Sequence, residues 1–458
     1  MNRQAIIKKS FHGGAIVFAA TGLQYLIAFG TQVVLARILE PSHFGAIAFA
    51  TMVAMFFNNF SNIQGDKYII KEKESIYKKL DNIFTLEVLL SIIFIILVAG
   101  IAPFLMKLLG KPELTRFVQF LSLLFLYNPF SKPRSILERN LSFFQARFPM
   151  VIAQFIGGII GISFAYFGYG IWSLLWWRFS TIAGEALIIW LIVPYRPRLV
   201  WNCDIIKGVL SFGWPLLGSS ILVFFYWNID YYIVGHLLGE EQLGYYWLAF
   251  QLSHYFLKVK RSIVSVVFPA FSRMGNEADI KKGFEVLTRL TAIIYMFPTI
   301  IVIVLGDELI EIIFGPKWLP ATTTFQIFMV LTCLRAVTSY WDPVFWFYGK
   351  TKFLFSLTIL NSIFITGVGY FVTKIYGIEG MSLVVLLSII IITPIAGSYL
   401  KRLINTSYTK ILFEPISIAM FLLVIYKLMM MYLLKSGIFV WGAELISTIL
   451  FAFLYGAV

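Results

Sequence analysis

The sequence predicts an all-α polytopic membrane protein with about fourteen transmembrane helices, arranged as two pseudo-symmetric six-helix lobes plus a C-terminal helix pair. Three observations predict this class. Of the 458 residues, 59% are hydrophobic and only 13% are charged, whereas soluble domains contain about 25% charged residues. Long apolar runs fill the chain from end to end, and one pattern of turns recurs after about 200 residues.

Fourteen runs approach the ~20 apolar residues that a helix needs to cross a membrane. The run that follows the N-terminal tail is too long for a signal-peptide core, so it is interpreted as a retained first helix. The polar stretches between runs are too short for a soluble catalytic domain. The segments, numbered 1 to 14, are residues 13–38, 43–64, 83–106, 114–131, 148–167, 170–194, 208–237, 242–268, 288–306, 318–348, 351–373, 377–399, 409–433 and 437–458.

The net charge of +14 is distributed unevenly across these segments. The N-terminal tail and the connections after even-numbered segments contain 27 of the 37 Lys and Arg residues, and the opposite side contains eight. Because Lys and Arg accumulate in cytoplasmic loops, both termini are predicted to be cytoplasmic. Short basic segments between apolar runs are typical of membrane orientation, so membrane lipids rather than nucleic acid are the expected surroundings.

The turn after segment 1 recurs after segment 7, where GHLLGEEQLGYYWLAF resembles ARILEPSHFGAIAFA. Two further turns repeat with similar offsets. The offset spans six helices, an even number, so the two copies enter the membrane in the same direction, as in transporters built from parallel repeats. The predicted lobes are residues 1–200 and 201–405, followed by a helix pair at 406–458. Matched positions are Leu39 and Leu238, Gly45 and Gly244, Ala50 and Ala249, Gly110 and Gly315, Gly168 and Gly377, and Ser173 and Ser382.

Signatures of catalysis are missing from the sequence. GKT at 349–351 fails as a phosphate-binding loop because Val344 stands where that motif needs Gly. The four His residues have neither metal-ligand nor catalytic spacing, and the two cysteines, Cys203 and Cys333, have unrelated surroundings. We therefore predict no enzyme activity, no metal centre and no cofactor.

Four stretches resemble the Wzx-type polysaccharide and O-antigen flippases of the multidrug/oligosaccharidyl-lipid/polysaccharide exporter superfamily. They are LARILEPSHFGAIAFA, NIDYYIVGHLLGEEQLGYYWLAFQLS, VVFPAFSRM and FGYGIWSL. The resemblance covers residues 10 to about 400, although segment 8 lacks the mid-helix Pro common in the family. It implies a transporter in the inner membrane of a bacterium or archaeon that moves an undecaprenyl-pyrophosphate-linked glycan to the outer leaflet by alternating access. A glycan polymerase is an expected partner.

A polar stripe along segment 8 is the main candidate for the substrate cavity. Gln251, His254, Lys258 and Arg261 share one helix face, and the repeat places Asn59 and Asn62 of segment 2 at the positions of Lys258 and Arg261. Charged side chains within a bilayer usually face a bundle interior or a wet cavity. The alternative is that the two cations only extend to the cytoplasmic interface.

Segments 1 and 7 also contain polar residues, among them Gln24 and Asp230, which suit helices that line a cleft. Trp227 is a candidate for stacking on sugar rings. The resemblance implies that Asp230 and Asn361 could bind Na⁺ as in some relatives, and protonation of the carboxylate would serve equally for coupling to H⁺. The alternative for Asp230 is a structural hydrogen bond to a neighbouring helix.

Segments 6 and 10 each contain an arginine and an acid on one predicted face, two turns apart. These are Arg178 with Glu185, and Arg335 with Asp342. About 10 Å along the axis is too far for direct pairing, so each charge needs a partner on another helix or on the substrate. Glu87 and Glu444 lie near helix ends and are not singled out.

Two rival functions stay open at this point. A cation-coupled exporter of small molecules belongs to the same superfamily, but it usually has an acidic cavity, which the Lys/Arg stripe disfavours. A membrane-embedded glycan polymerase or ligase would need a large external loop, and the longest one predicted is about a dozen residues.

Overall fold

The computed structural model describes residues 3–65, 68, 76–140, 142–273 and 277–406, and the single positions 411, 417 and 421. For residues 3–15, 76, 258–273 and 277 only the backbone is described. Predicted segments 13 and 14 lie outside the described residues apart from those single positions. All regular elements within the described ranges are helical.

The chain falls into two compact units, residues 1–247 and residues 248–458. The first unit contains seven numbered helices, α1 to α7, and the start of an eighth. They are α1 (Arg3–Ile38), α2 (Pro41–Ser61), α3 (Ile76–Leu108), α4 (Thr115–Ser122), α5 (Phe143–Tyr166), α6 (Ile171–Ile192), α7 (Cys203–Leu237) and α8 (Gly239–Arg273). Between α4 and α5 the chain forms a 3-10 helix, Leu123–Leu126, and two short helices, Tyr127–Phe130 and Arg134–Arg139.

The second unit contains the rest of α8, then α9 (Glu277–Phe314), α10 (Thr322–Thr338), a short helix Trp341–Phe347, and α11 (Thr351–Ile404). A 3-10 helix, Pro316–Ala321, precedes α10. Helix α11 is interrupted at Gly377, whose φ of 64° and ψ of −148° are non-helical. The core of the second unit is formed by apolar side chains from α9, α11 and the short helix, including Phe284, Phe345 and Leu400.

Local sequence explains where several helices begin. Pro41 occupies the first turn of α2, where its missing N–H is not needed. The backbone N–H of Glu40 donates to Nδ1 of His43 at 3.3 Å. The Asn202 side chain caps α7 by accepting from the N–H groups of Asp204 and Ile205, each at 3.1 Å.

Within the described residues, nine helices are long and apolar enough to cross a membrane. Helix α11 counts once among these nine, although Gly377 divides it where the sequence predicts segments 11 and 12. Predicted segment 4 is not among them because the chain there is divided into α4, the 3-10 helix Leu123–Leu126 and the short helix Tyr127–Phe130, each too short to cross a membrane. The membrane-spanning helical class is confirmed, and the number fourteen stays a prediction.

The repeated turns have matching backbone conformations. Gly110 and Gly315 have positive φ angles of 73° and 99°, and each precedes a 3-10 helix that leads into the next helix. Gly170, with φ 54° and ψ −127°, starts α6 in nearly the conformation of Gly377. In conformation, Gly377 therefore corresponds to Gly170. Gly170 lies two residues after Gly168, the residue that the sequence repeat matches to Gly377. The predicted lobe boundaries remain a prediction, since the compact units divide within α8.

Two glycines from the repeat bring the starts of α2 and α8 together. A Cβ atom at Gly45 would lie 1.7 Å from the carbonyl oxygen of Glu240, and one at Gly244 would lie 2.0 Å from that of Pro41. The contact is reciprocal, because each glycine lies against the first turn of the other helix. Only glycine permits two backbones to approach so closely.

Candidate functional site

Polar side chains gather where α2 ends, within the first unit. Asn128 donates through Nδ2 to Asn58 Oδ1 and to Ser61 Oγ, both at 2.9 Å. Asn62, which follows the last residue of α2, donates to Asn128 Oδ1 at 3.4 Å. The segment after α2 also reaches α7, since Gln64 Nε2 donates to Ser220 Oγ at 2.8 Å. Amide groups therefore connect α2 both with the Tyr127–Phe130 helix and with α7.

A buried ion pair lies beside this amide cluster. Lys132 Nζ is 2.9 Å from Glu87 Oε1, and their side chains are 4% and 0% exposed. Ions buried this deeply lose their hydration, and a direct partner is needed to offset that cost. Glu87 belongs to α3 and Lys132 follows the Tyr127–Phe130 helix, so the pair holds two elements of the first unit together.

A second charged contact fixes Glu185 of α6. Arg134 Nη2 donates to Glu185 Oε1, and the Tyr127 hydroxyl donates to Glu185 Oε2 at 3.0 Å. Arg134 Nη2 also donates to the Tyr127 hydroxyl at 2.9 Å. Of the two roles considered for Glu185, the structure places it in a cross-helix ion pair.

Arg178 of α6 is placed differently. It is half-buried, and its guanidinium makes no ion pair with any described residue. Gln24 of α1 is also half-buried, with no hydrogen-bond partner for Oε1 among the described residues. Asn59 donates through Nδ2 to the carbonyl oxygen of Met55, one turn earlier in its own helix, at 2.9 Å. Arg178 and Gln24 thus retain polar groups for a ligand, whereas the amide N–H of Asn59 is partly occupied.

Asp230 is buried in the first unit and has defined partners. The Tyr246 hydroxyl of α8 donates to Asp230 Oδ2 at 2.8 Å, and the backbone N–H of Tyr231 donates to Oδ1 at 3.0 Å. This is the structural hydrogen bond to a neighbouring helix that the sequence left as an alternative. Trp227, one turn earlier in α7, is half-buried and packs edge-on against Tyr226 at 5.2 Å.

The second unit contains three further candidates. The His254 ring stacks on Phe250 with centroids 4.1 Å apart, and Gln251, three residues before His254, is half-buried. Asn361 of α11 is 3% exposed, and its Oδ1 has no hydrogen-bond partner among the described residues. Asp230 and Asn361 belong to different compact units, so a shared cation site stays a prediction. The side chains of Lys258 and Arg261 lie outside the described residues.

The predicted shared face of Arg335 and Asp342 is wrong. Helix α10 ends at Thr338, and Asp342 belongs to the separate short helix Trp341–Phe347. The cause is Pro343, which supplies no N–H for a continuing helix and clashes with the preceding turn. Arg335 is half-buried on α10, whereas Asp342 is exposed.

The turn between α7 and α8 has its own charged contact. Lys111 Nζ lies 3.4 Å from Glu240 Oε1. Burial raises the pKa of the Glu240 carboxyl, Lys111 opposes that rise, and the neighbouring Glu113 adds to it.

Sequence reasoning missed the roles of Glu87, Lys132 and Arg134. The predicted bounds of segment 3 place Glu87 near a helix end, but α3 begins at Ile76 and places it well inside the helix. An acid within an apolar run is itself a signal of a buried partner. That partner cannot be identified from spacing because it comes from a different helix.

The sequence profile of the family described as polysaccharide biosynthesis protein matches residues 34–323. The succinoglycan biosynthesis transport protein ExoT of Rhizobium meliloti is 23% identical over 361 residues, which are 77% of this chain and 72% of ExoT. The teichuronic acid biosynthesis protein TuaB of Bacillus subtilis is 24% identical over 280 residues, 59% of this chain and 57% of TuaB. The lipopolysaccharide biosynthesis protein WzxC of Escherichia coli is 25% identical over 317 residues, 66% of this chain and 63% of WzxC.

Solved structures show the same fold at low sequence identity. The lipid II flippase MurJ in an inward closed conformation matches with a TM-score of 0.76 at 15% identity, covering 96% of this chain and 98% of MurJ. An inward-facing multidrug resistance transporter of the MATE family matches with a TM-score of 0.61 at 15% identity, covering 84% of this chain and 96% of that transporter.

Proposed function

The chain belongs to the polysaccharide biosynthesis protein family, and from this premise we propose that it flips an undecaprenyl-pyrophosphate-linked oligosaccharide from the inner to the outer leaflet of the cytoplasmic membrane. The fold is that of transporters, and the relatives that match are named for transport or for polysaccharide biosynthesis. Family members handle lipid-linked polysaccharide precursors in membranes, and this chain is an integral membrane protein of that kind.

The observation that carries the proposal is Arg178. A guanidinium among membrane-spanning helices is costly unless a counter-charge accompanies it, and the described residues provide no such anion for Arg178. A pyrophosphate group supplies about two negative charges, which an arginine binds with paired hydrogen bonds. Glu185 does not serve as the counter-charge because Arg134 already pairs with it.

The cations that the sequence predicts in the second unit, Lys258, Arg261 and Arg335, are also proposed to contact the pyrophosphate. In the predicted orientation, with both termini cytoplasmic, Lys258 and Arg261 lie near the cytoplasmic mouth, where the head group enters. His254 lies one turn deeper along the same helix. Polar side chains such as Gln24, Asn62 and Gln251, and the ring of Trp227, are proposed to contact the sugars.

Transport is proposed to follow alternating access between the two predicted lobes. Coupling to Na⁺ or H⁺ would act through Asp230, with Asn361 as a second oxygen ligand if the ion is Na⁺. A glycan polymerase is the proposed partner that consumes the flipped substrate.

A cation-coupled exporter of small molecules is the second candidate, because multidrug transporters share the fold. The two functions predict ligands of opposite charge. An arginine without a counter-charge would repel a lipophilic cation, whereas it would attract the negative charge of a pyrophosphate group.

Ligand binding to the purified full chain distinguishes these functions. We expect a synthetic polyprenyl-pyrophosphate oligosaccharide to bind, and Arg178→Gln and Lys258→Gln/Arg261→Gln each to weaken binding by about 10- to 100-fold, since a charged hydrogen bond contributes about 1.5–3 kcal/mol. Arg116→Gln changes an exposed cation on α4 and should leave binding unchanged. Binding of lipophilic cations in preference to the pyrophosphate lipid would support the exporter.

A further inference from the structure

An apolar groove of about 460 Å³ lies in the first unit between α6 and residues 123–130. Leucines line one side of it, and its aromatic lining consists of Tyr127, Phe130, Phe179 and Trp190. None of the proposed substrate contacts lines this groove.

The groove opens towards lipid. Ala183 and Leu187 line it and are exposed, and Leu187 has 63% of its surface accessible. In a membrane-spanning helix such exposed apolar residues face hydrocarbon chains rather than water. One lipid chain can therefore enter the groove laterally from the bilayer.

A positive charge stands at one end of this groove. The indole N–H of Trp190 donates to the carbonyl oxygen of Phe130 at 2.7 Å, which fixes the ring. The Arg196 guanidinium lies 5.6 Å from the centroid of that ring. Its Nη1 donates to the carbonyls of Val193 and Tyr195, at 2.5 and 3.1 Å, and caps the end of α6.

Arg196 keeps further donors for a ligand. Its side chain is exposed, and Nε and Nη2 make no hydrogen bond with the described residues. A guanidinium has five N–H donors in a planar fork that matches a phosphate. A tryptophan and an arginine at the end of a membrane-spanning helix also mark the level of the lipid head groups.

We propose that this groove binds one chain of an anionic phospholipid, whose head-group phosphate contacts Arg196. Charge complementarity selects the occupant, because the apolar lining fits a hydrocarbon chain and the Arg196 guanidinium at its end fits an anionic head group. The predicted orientation places residue 196 on the cytoplasmic side, where anionic lipids attract basic residues. The site is separate from the proposed flipping of the glycan lipid.

The test is native mass spectrometry of the purified full chain, titrated with phosphatidylglycerol or with phosphatidylcholine of the same acyl chains. Wild-type protein should retain phosphatidylglycerol in preference. Arg196→Gln should reduce that preference about tenfold, as expected for loss of one charged hydrogen bond, and Arg196→Lys should retain most of it. Ala183→Trp, which puts a ring into the groove, should lower occupancy by both lipids.

Two control variants match these changes. Arg116→Gln removes an exposed cation elsewhere in the first unit, and Leu191→Trp adds the same ring to an exposed position of α6 outside the groove. Both should bind phosphatidylglycerol like the wild type. Melting temperatures within about 2 °C of wild type for all variants would exclude unfolding as the cause of lost binding.

Four results would overturn the proposal. Unchanged phosphatidylglycerol preference in Arg196→Gln would remove the head-group contact, and unchanged occupancy in Ala183→Trp would remove the groove. An equal loss in Arg116→Gln would show that net charge alone governs binding. Displacement of the phospholipid by equimolar undecaprenyl phosphate in wild type, but not in Ala183→Trp, would assign the groove to the prenyl chain instead.

Discussion

The Glu87 carboxylate and the Lys132 ammonium lie 2.9 Å apart with almost no exposed surface. At this scale three buried acids of the first unit have defined partners: Glu87 and Glu185 have cations beside them, and Asp230 has a tyrosine. Spacing within one helix predicted which residues are polar and inward, such as Asp230 and Glu185. It could not predict the partners, because they come from other helices.

Glu87→Gln should destabilise the protein strongly. The variant leaves the Lys132 ammonium buried without its counter-charge, which costs about 3–5 kcal/mol. The matched control is Arg147→Gln in the pair of Arg147 with Glu138, which are 3.2 Å apart with side chains 31% and 29% exposed, where about 0–1 kcal/mol is expected. Thermal unfolding in detergent measures both, and equal shifts in melting temperature would contradict the buried-pair account.

Asp230→Asn should remove ion or proton dependence from transport without unfolding the protein. Asparagine keeps an oxygen that can accept from the Tyr246 hydroxyl, so the contact between α7 and α8 is preserved while the charge is lost. Transport rates against Na⁺ concentration and against pH, at equal protein amounts, provide the measurement. A mutant whose transport keeps the wild-type dependence on both would exclude Asp230 from coupling.

At the scale of elements, the repeated glycines matter for how helices meet. The sequence repeat indicated Gly45 with Gly244 and Gly110 with Gly315, and in the structure each pair has matching surroundings or conformation. Helix boundaries were less predictable. A break at Ser339 and Tyr340 divides predicted segment 10. It lies in the turn before Pro343, whose ring clashes with the carbonyl four residues earlier, whereas the apolar run in the sequence continues without interruption.

Gly45→Ala and Gly244→Ala should each separate the first turns of α2 and α8. The added Cβ would lie 1.7 or 2.0 Å from a backbone carbonyl, so one helix must move, and we expect a loss of about 1–3 kcal/mol. Gly100→Ala in α3 is the control, since a Cβ there meets no atom within 4 Å; alanine should stabilise that helix by about 0.5–1 kcal/mol. Equal melting temperatures for Gly45→Ala and Gly100→Ala would refute the close contact.

At the scale of the whole molecule, composition and charge predicted the membrane class, and the family follows from residues 34–323. The orientation rests on the 27-to-8 distribution of Lys and Arg. The substrate and the movement between lobes are proposals, because hydrophobic motifs specify a transporter fold more closely than they specify its cargo.

The orientation predicts which introduced cysteines react in intact cells. In a background with Cys203 and Cys333 replaced by serine, Glu241→Cys should be labelled by an impermeant thiol reagent, and Lys282→Cys should be labelled only after the membrane is permeabilised. Both positions are exposed, so a difference in labelling reports the side of the membrane. The reverse pattern would place the termini outside.

Translocation by the purified protein tests the central claim most directly. Proteoliposomes that contain a polyprenyl-pyrophosphate oligosaccharide in both leaflets are treated with an impermeant glycosidase, and the cleaved fraction is followed over time. The account predicts that wild-type protein exposes nearly all of the lipid to the enzyme, whereas empty liposomes and Arg178→Gln leave about the inner-leaflet half protected. Protection of that half in proteoliposomes that contain folded, correctly inserted wild-type protein would contradict the assignment as a flippase of lipid-linked glycans.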